Sequence, residues 1–219
     1  MNIDRLFELA GIKHHELYEM PQRIPPLDTD GMKQYSNEYL KYFHDPSFTI
    51  TKLFNIDDTT IMYHLDSPSK GGYAAITNDG IFEKCIFVME YQNNSKKFGP
   101  HIVEKLVWAS PDHRIILKNI PIKMYFDYII PNHKIIVCDH SYTDDGERFF
   151  KNKIIPLAFD KKLNVYLMIT RPIMSVTKID TLVDFQKLDD GDIWSPDRHI
   201  NPSNYTDKRF IISTTPLNV

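Results

Sequence analysis

The chain has 219 residues, a formal net charge of −3 and 42% hydrophobic residues, enough apolar material for one domain with appendages or at most two small ones. With 26 basic against 29 acidic residues there is no global excess to follow a nucleic-acid backbone, so nucleic acid is not indicated as a partner. Twelve tyrosines and thirteen phenylalanines favour a mixed sheet and helix domain over a lone helical bundle.

At the N-terminus Ile3, Leu6, Phe7 and Leu9 sit at helical spacing and Gly11 can close the segment. Asp4, Arg5 and Glu8 interrupt it, and no run elsewhere approaches the ~20 apolar residues of a membrane span, so the expectation is a cytoplasmic protein without membrane contact. Pro21, Pro25 and Pro26 make an extended connector. Met32, Tyr35, Tyr39, Leu40 and Phe43 then repeat as a helix face that Pro46 stops. Residues 1–46 therefore form a helical lead-in, followed by a core over 47–170 and a C-terminal extension over 171–219.

From Phe48 the pattern becomes strands: 48–54, 60–65, 73–77, 81–91 and 102–109. Their separators are turn chemistry, with Asn78-Asp79-Gly80 the clearest hairpin signal. Short links between consecutive strands imply an antiparallel meander. Next come the turn Ser110-Pro111-Asp112-His113-Arg114, a helix from about Ile120 to Ile130 ended by Pro131, and an apolar strand over 134–138. A strand, helix and strand in that order require a parallel crossover. A second helix over 144–159 starts with Asp144 and Glu147 at capping-box spacing, and Pro156 should bend its last turn. A strand over 165–170 follows; residues 175–205 read as polar and irregular around Trp194, and 209–213 is a closing strand. Cys85 and Cys138 lie inside apolar runs and read as small buried hydrophobes rather than as a disulfide or a nucleophile.

This order resembles the GNAT acyltransferase superfamily, and more narrowly the divergent GNAT-like proteins of bacteriophages. The resemblance rests on Val107-Trp108-Ala109-Ser110-Pro111-Asp112-His113-Arg114, similar to the strand and Pro-x-x-Arg entry to the cofactor loop. It rests also on Val137 to Gly146, similar to the strand end and helix entry that follow, and on the closing Arg209 to Ser213 strand. It implies a mixed α/β (α+β) fold, a mostly antiparallel sheet flanked by helices. It also implies transfer of an acyl group from acetyl-CoA or another acyl-CoA to a small-molecule or protein amine, in a host cytoplasm if phage-encoded. The family loop has the form Arg/Gln-x-x-Gly-x-Gly/Ala, in which backbone N–H groups approach a pyrophosphate. Arg114 matches, while Leu117 and Asn119 occupy the glycine positions, so Leu117 is expected to fill phosphate space and Pro121 to remove a donor. Arg114, Lys118 and Asn119 are the candidate cofactor-binding residues, with His113 as a further charge. The departure from the loop supports a second reading, a catalytically inactive GNAT-fold protein that binds a host or virion protein.

Acyl transfer needs positioning, a base for the amine proton and an acid for the leaving thiolate. Glu104, on the strand before the loop, is the candidate base; its bland alternative is a strand-edge carboxylate paired with Lys105 or Lys84. Tyr142 is the candidate acid, with a buried structural tyrosine as the alternative. Asp139, His140, Ser141 and Thr143 cluster at the same strand end, where turn and cap roles compete. The histidines lack metal-ligand spacing, and neither a Gly-x-Ser-x-Gly elbow nor a phosphate-binding glycine fingerprint occurs. Lys151, Lys153, Lys161 and Lys162 read as a solvated face.

Overall fold

The computed structural model describes residues 39–78, 80, 82–95, 97–138, 144–170, 173–188 and 208–218. A short helix α1 (39–43) leads into β1 (Thr49–Asn55), β2 (Thr60–Asp66), β3 (Lys70–Asn78), β4 (Glu83–Asn94) and β5 (His101–Ala109), each antiparallel to the next. Local hydrogen bonds explain the turns. Asp57 Oδ1 accepts from the backbone N–H of Thr59 and Thr60 at 2.8 and 2.7 Å, which closes the β1–β2 link. The Asn78 side chain accepts from Gly80 N–H at 2.8 Å, and Gly80 takes φ +87°, a conformation that suits glycine.

After β5 a tight turn (Pro111–His113) enters α2 (Arg114–Leu117), and helix α3 (120–133) leads to β6 (Ile135–Val137), parallel to β5. Helix α4 (144–160) then reaches β7 (Asn164–Ile169), followed by β8 (Ser175–Ile179), α5 (Leu182–Gln186) and β9 (Lys208–Ser213). The described strands form one sheet in the order β1-β2-β3-β4-β5-β6-β9-β7-β8, so the last strand lies between β6 and β7 and pairs antiparallel with both. This is a mixed α+β architecture, a large, mostly antiparallel sheet flanked by helices, consistent with a GNAT-like description.

Two crossovers in the same direction across a sheet put their helices on one face when both are right-handed. The largest core cluster accordingly joins Leu117, Met124, Tyr125, Phe150 and Ile154 of the helices to Phe87, Val107 and Phe210 of the sheet. On the opposite face Tyr39 of α1 packs with Leu65, Val88 and Trp108, and farther along Val137, Tyr166 and Ile211 form a third cluster. Among the described residues no helix is long and apolar enough to cross a membrane.

Two sequence expectations need correction. Helix α3 does not stop at Pro131 but runs on to His133, whereas α4, expected over 144–159, passes Pro156 as expected and reaches Asp160. A proline inside a helix lacks the N–H, and its ring crowds the carbonyl four residues back. In both helices the backbone widens to π-type turns immediately beforehand, over Met124–Ile129 and Phe150–Ile154, and the wider turn relieves the crowding. Residues 175–188, read as irregular, instead hold β8 and α5. Thr181 caps α5 by accepting from Asp184 N–H at 3.1 Å, a signal masked by the polarity of the surrounding chain.

Candidate active site at the end of the β5–β6 ladder

Among the described residues the parallel ladder between β5 and β6 covers Ile102↔Ile136 and Val103↔Val137. From Glu104 onward β5 continues beside β4, while Cys138, just past β6, donates its N–H to Phe210 O of β9 at 2.9 Å. Beyond the described ladder the two strands thus follow different neighbours, β5 beside β4 and the end of β6 beside β9. Glu104 is the first β5 residue beyond the paired stretch.

Strand β5 also changes phase here. Its ladder with β4 steps from Tyr91↔Glu104 to Glu90↔Leu106, so Lys105 is an extra residue, a β-bulge. Ile102 contributes to the helix-side core before the bulge, and Val107 and Ala109 do so after it. In an unbulged strand of the same sequence, with Lys105 in the ladder, Val107 and Ala109 would face α1 instead, because side chains alternate with period two. The bulge thus keeps Glu104 under the helix layer and turns Trp108 to the opposite face, into the cluster with Tyr39.

Glu104 is 5% exposed, and its Oε2 accepts a hydrogen bond from the hydroxyl of Tyr125, which is 0% exposed. A carboxyl group at this depth requires such a donor. Tyr125 comes from the widened turn of α3, and its ring packs edge-on to Phe150 with centroids 5.6 Å apart. Sequence reasoning singled out Glu104 and missed Tyr125, which lies beside the Ile120, Met124 and Tyr128 row of the expected helix; only its hydroxyl distinguishes it from apolar packing.

The candidate cofactor residues lie one turn beyond β5. Arg114 is half-buried at the start of α2, and Lys118 and Asn119 are exposed between α2 and α3. Leu117, expected to fill phosphate space, is instead 0% exposed and belongs to the main core, because α2 is a helical turn whose inner side faces the sheet. Pro121 is buried near the start of α3, where Asn119 takes the cap position without a side-chain cap hydrogen bond. His113 Nδ1 lies 3.0 Å from Ser110 Oγ; burial, aided by Lys84 and opposed by Asp112, lowers its pKa, so its charge is weakened at neutral pH. Tyr142, with Asp139, His140, Ser141 and Thr143, lies outside the described residues, as do His14, His15 and Trp194.

A second polar group crosses the helix face of the sheet nearby. Tyr91, the ladder partner of Glu104, points its hydroxyl away toward His64 Nε2 at 2.7 Å, and His64 stacks on Tyr73 with centroids 4.7 Å apart. His133, at the end of α3, meets the Tyr91 ring edge-on at 4.7 Å. Burial is the first cause of every shift in this group. It lowers His64, lowers His133 to about 4 with help from His64, raises Tyr73 to about 12 and raises Tyr91. All four side chains are thus neutral at pH 7. The Asn132 side chain approaches the Tyr73 hydroxyl without completing a hydrogen bond, and His133 Nε2 has no partner among the described residues.

Cys85 and Cys138 are both buried and outside any disulfide, and burial pushes the Cys85 thiol up to about 12, far from a reactive thiolate. Among the described residues no group of three or more His, Cys, Asp or Glu side chains is placed to hold a metal ion. No protein-family model matches the chain, and no curated protein matches it.

Proposed function

We propose that the chain is a GNAT-like acyltransferase that moves an acyl group from acyl-CoA, acetyl-CoA being the simplest donor, to an amine. The observation that carries this reading is the short parallel ladder between β5 and β6, with the buried Glu104 the first β5 residue beyond its described pairs. An extended thioester arm laid along β5 past that ladder would present its carbonyl beside the carboxylate. The amine nitrogen attacks the carbonyl carbon, the C–N bond forms, Glu104 takes the amine proton, the C–S bond breaks and the thiolate leaves protonated. Tyr142 is the acid in this scheme. Arg114 and Lys118 supply charge for the phosphates and Asn119 a neutral contact.

A second reading, a GNAT-fold protein of phage origin that has lost the cofactor and binds a virion or host protein, draws its support from α2. With Leu117 committed to the core and Pro121 without an N–H, this segment offers fewer backbone donors than a glycine loop would. Calorimetric and thermal-shift titration with acetyl-CoA separates the two. The enzyme reading expects a raised Tm that Arg114→Ala weakens. No shift and no heat at millimolar cofactor would falsify it and leave the binding reading.

A further inference from the structure

Two backbone irregularities converge on Glu104. On β5 the bulge at Lys105 holds it beneath the helix layer, and on α3 the widened turn over Met124–Ile129, which accommodates Pro131, carries Tyr125 onto it. Either feature alone has a local cause. Together they join a carboxylate and a phenol, both buried, across two elements whose surroundings are otherwise mostly apolar.

We propose that Tyr125 is a positioning residue for the proton-accepting carboxylate, one that fixes the Glu104 rotamer and stabilises its ionised form. The proposal rests on the reading of Glu104 as base. Burial by itself favours the neutral acid, which cannot accept a proton from an amine. A phenol O–H directed at one carboxylate oxygen favours the anion. Among the described sheet residues beside it are Tyr91, across the β4 ladder, and Lys105, at the bulge, and Tyr91 sends its hydroxyl to His64.

A role confined to packing makes a different prediction. The Tyr125 ring lies 5.6 Å from Phe150 and 6.3 Å from Phe149, contacts that a phenylalanine keeps. The test is therefore Tyr125→Phe, read by the carbon-13 carboxyl resonance of Glu104 titrated with pH, a measurement that needs no activity. The expected result is a Glu104 midpoint higher by about one pH unit or more than in the wild type. In acetyl-CoA-dependent transfer the same variant is expected to lower kcat at least about tenfold with little change in KM for acetyl-CoA, and to move the acidic limb of the rate profile up with the midpoint. In a Glu104→Gln background Tyr125→Phe should then add little. An unchanged Glu104 midpoint in Tyr125→Phe overturns the positioning role. A shifted midpoint in a protein without transferase activity leaves the pair intact and removes only the base reading. If Tyr125→Phe does not fold, Tyr125→3-fluorotyrosine, which keeps the ring and makes the phenol more acidic, is expected to move the midpoint down; no movement there overturns the proposal equally.

Discussion

Tyr91 lies directly over the backbone of Gly71: a Cβ added at Gly71 would stand 2.4 Å from the Tyr91 hydroxyl oxygen and 2.6 Å from Cζ. Gly71 and Tyr91 are ladder partners on β3 and β4, so the missing side chain of one makes room for the ring of the other to reach His64. Gly71→Ala must displace a ring that is 1% exposed and held by His64 and His133. The expected cost is about 1–3 kcal/mol in denaturant unfolding, with loss of the His64 contact visible as a shifted imidazole resonance. A variant as stable as the wild type would show that the ring has room to move.

The same group makes stability depend on pH. His64 and His133 are neutral in the fold, His133 with a pKa of about 4 and His64 lowered, while both approach 6.5 in the unfolded chain. Because the unfolded state binds protons first, their contribution is complete above about pH 6.5 and is lost as the pH falls toward 4. His133 is only half-buried, so solvent screening reduces the effect to about 1–2 kcal/mol. Hydrogen bonds from Ser47 and Thr181 hold Asp45 and Asp184 below 3.8, so losses from those carboxylates come at still lower pH. His133→Gln should flatten the fall in Tm between pH 7 and 5; an unaltered slope in that variant would assign the pH dependence elsewhere.

Glu104→Gln separates stability from chemistry. The amide keeps an oxygen to accept from Tyr125, so the change in unfolding free energy should stay within about 1 kcal/mol, whereas Glu104→Ala leaves a buried phenol without that acceptor and costs about 1–3 kcal/mol. Transfer from acetyl-CoA should fall about a hundredfold or more in Glu104→Gln. Full activity in that variant would remove the carboxylate from the mechanism.

The strands were legible from alternation and turn residues because each apolar run is bounded by Gly, Pro, Asn or Asp: predicted 60–65 and 102–109 became Thr60–Asp66 and His101–Ala109. The pairing of β9 between β6 and β7 could not be read from the residues, since neither neighbour is adjacent to it in the chain. The bulge at Lys105 was hidden as well, because an extra residue shows in sequence only as a change of phase inside an otherwise apolar strand. Pro131 misled for the opposite reason: the local rule that proline stops a helix was overridden by tertiary burial of Ile130, just past the widened turn. Glu104 could be singled out as a lone carboxylate in an apolar strand; its partner could not, because the contact joins residues 21 apart through two irregularities.

Helix α1 offers a check on how the segment before β1 is anchored. The Tyr39 hydroxyl donates to Glu90 Oε2 at 2.7 Å, and Lys70 Nζ sits 4.1 Å from the centre of the Tyr42 ring. Tyr39→Phe should cost about 1 kcal/mol and Lys70→Met about 0.5–1 kcal/mol in unfolding experiments. Both contacts fix the same short helix, so the double variant should cost less than the sum. Strict additivity would mean that the two contacts act independently.

The α2 segment gives the sharpest contrast between neighbours. Leu117 is wholly buried among the helix-side core residues, while Lys118 and Asn119, the next residues, are exposed. Leu117→Ala should therefore destabilise by about 2–5 kcal/mol through lost burial and the cavity left behind. Lys118→Ala and Asn119→Ala should stay within about 0.5 kcal/mol. Leu117→Gly, the residue a phosphate-binding loop would carry there, adds backbone freedom to the cavity and should be worse than alanine by about a further 1 kcal/mol. If Leu117→Gly were instead neutral in stability and tightened acetyl-CoA binding, the segment would be a loop with a displaced side chain, and the burial of Leu117 would not be what fixes α2 against the sheet.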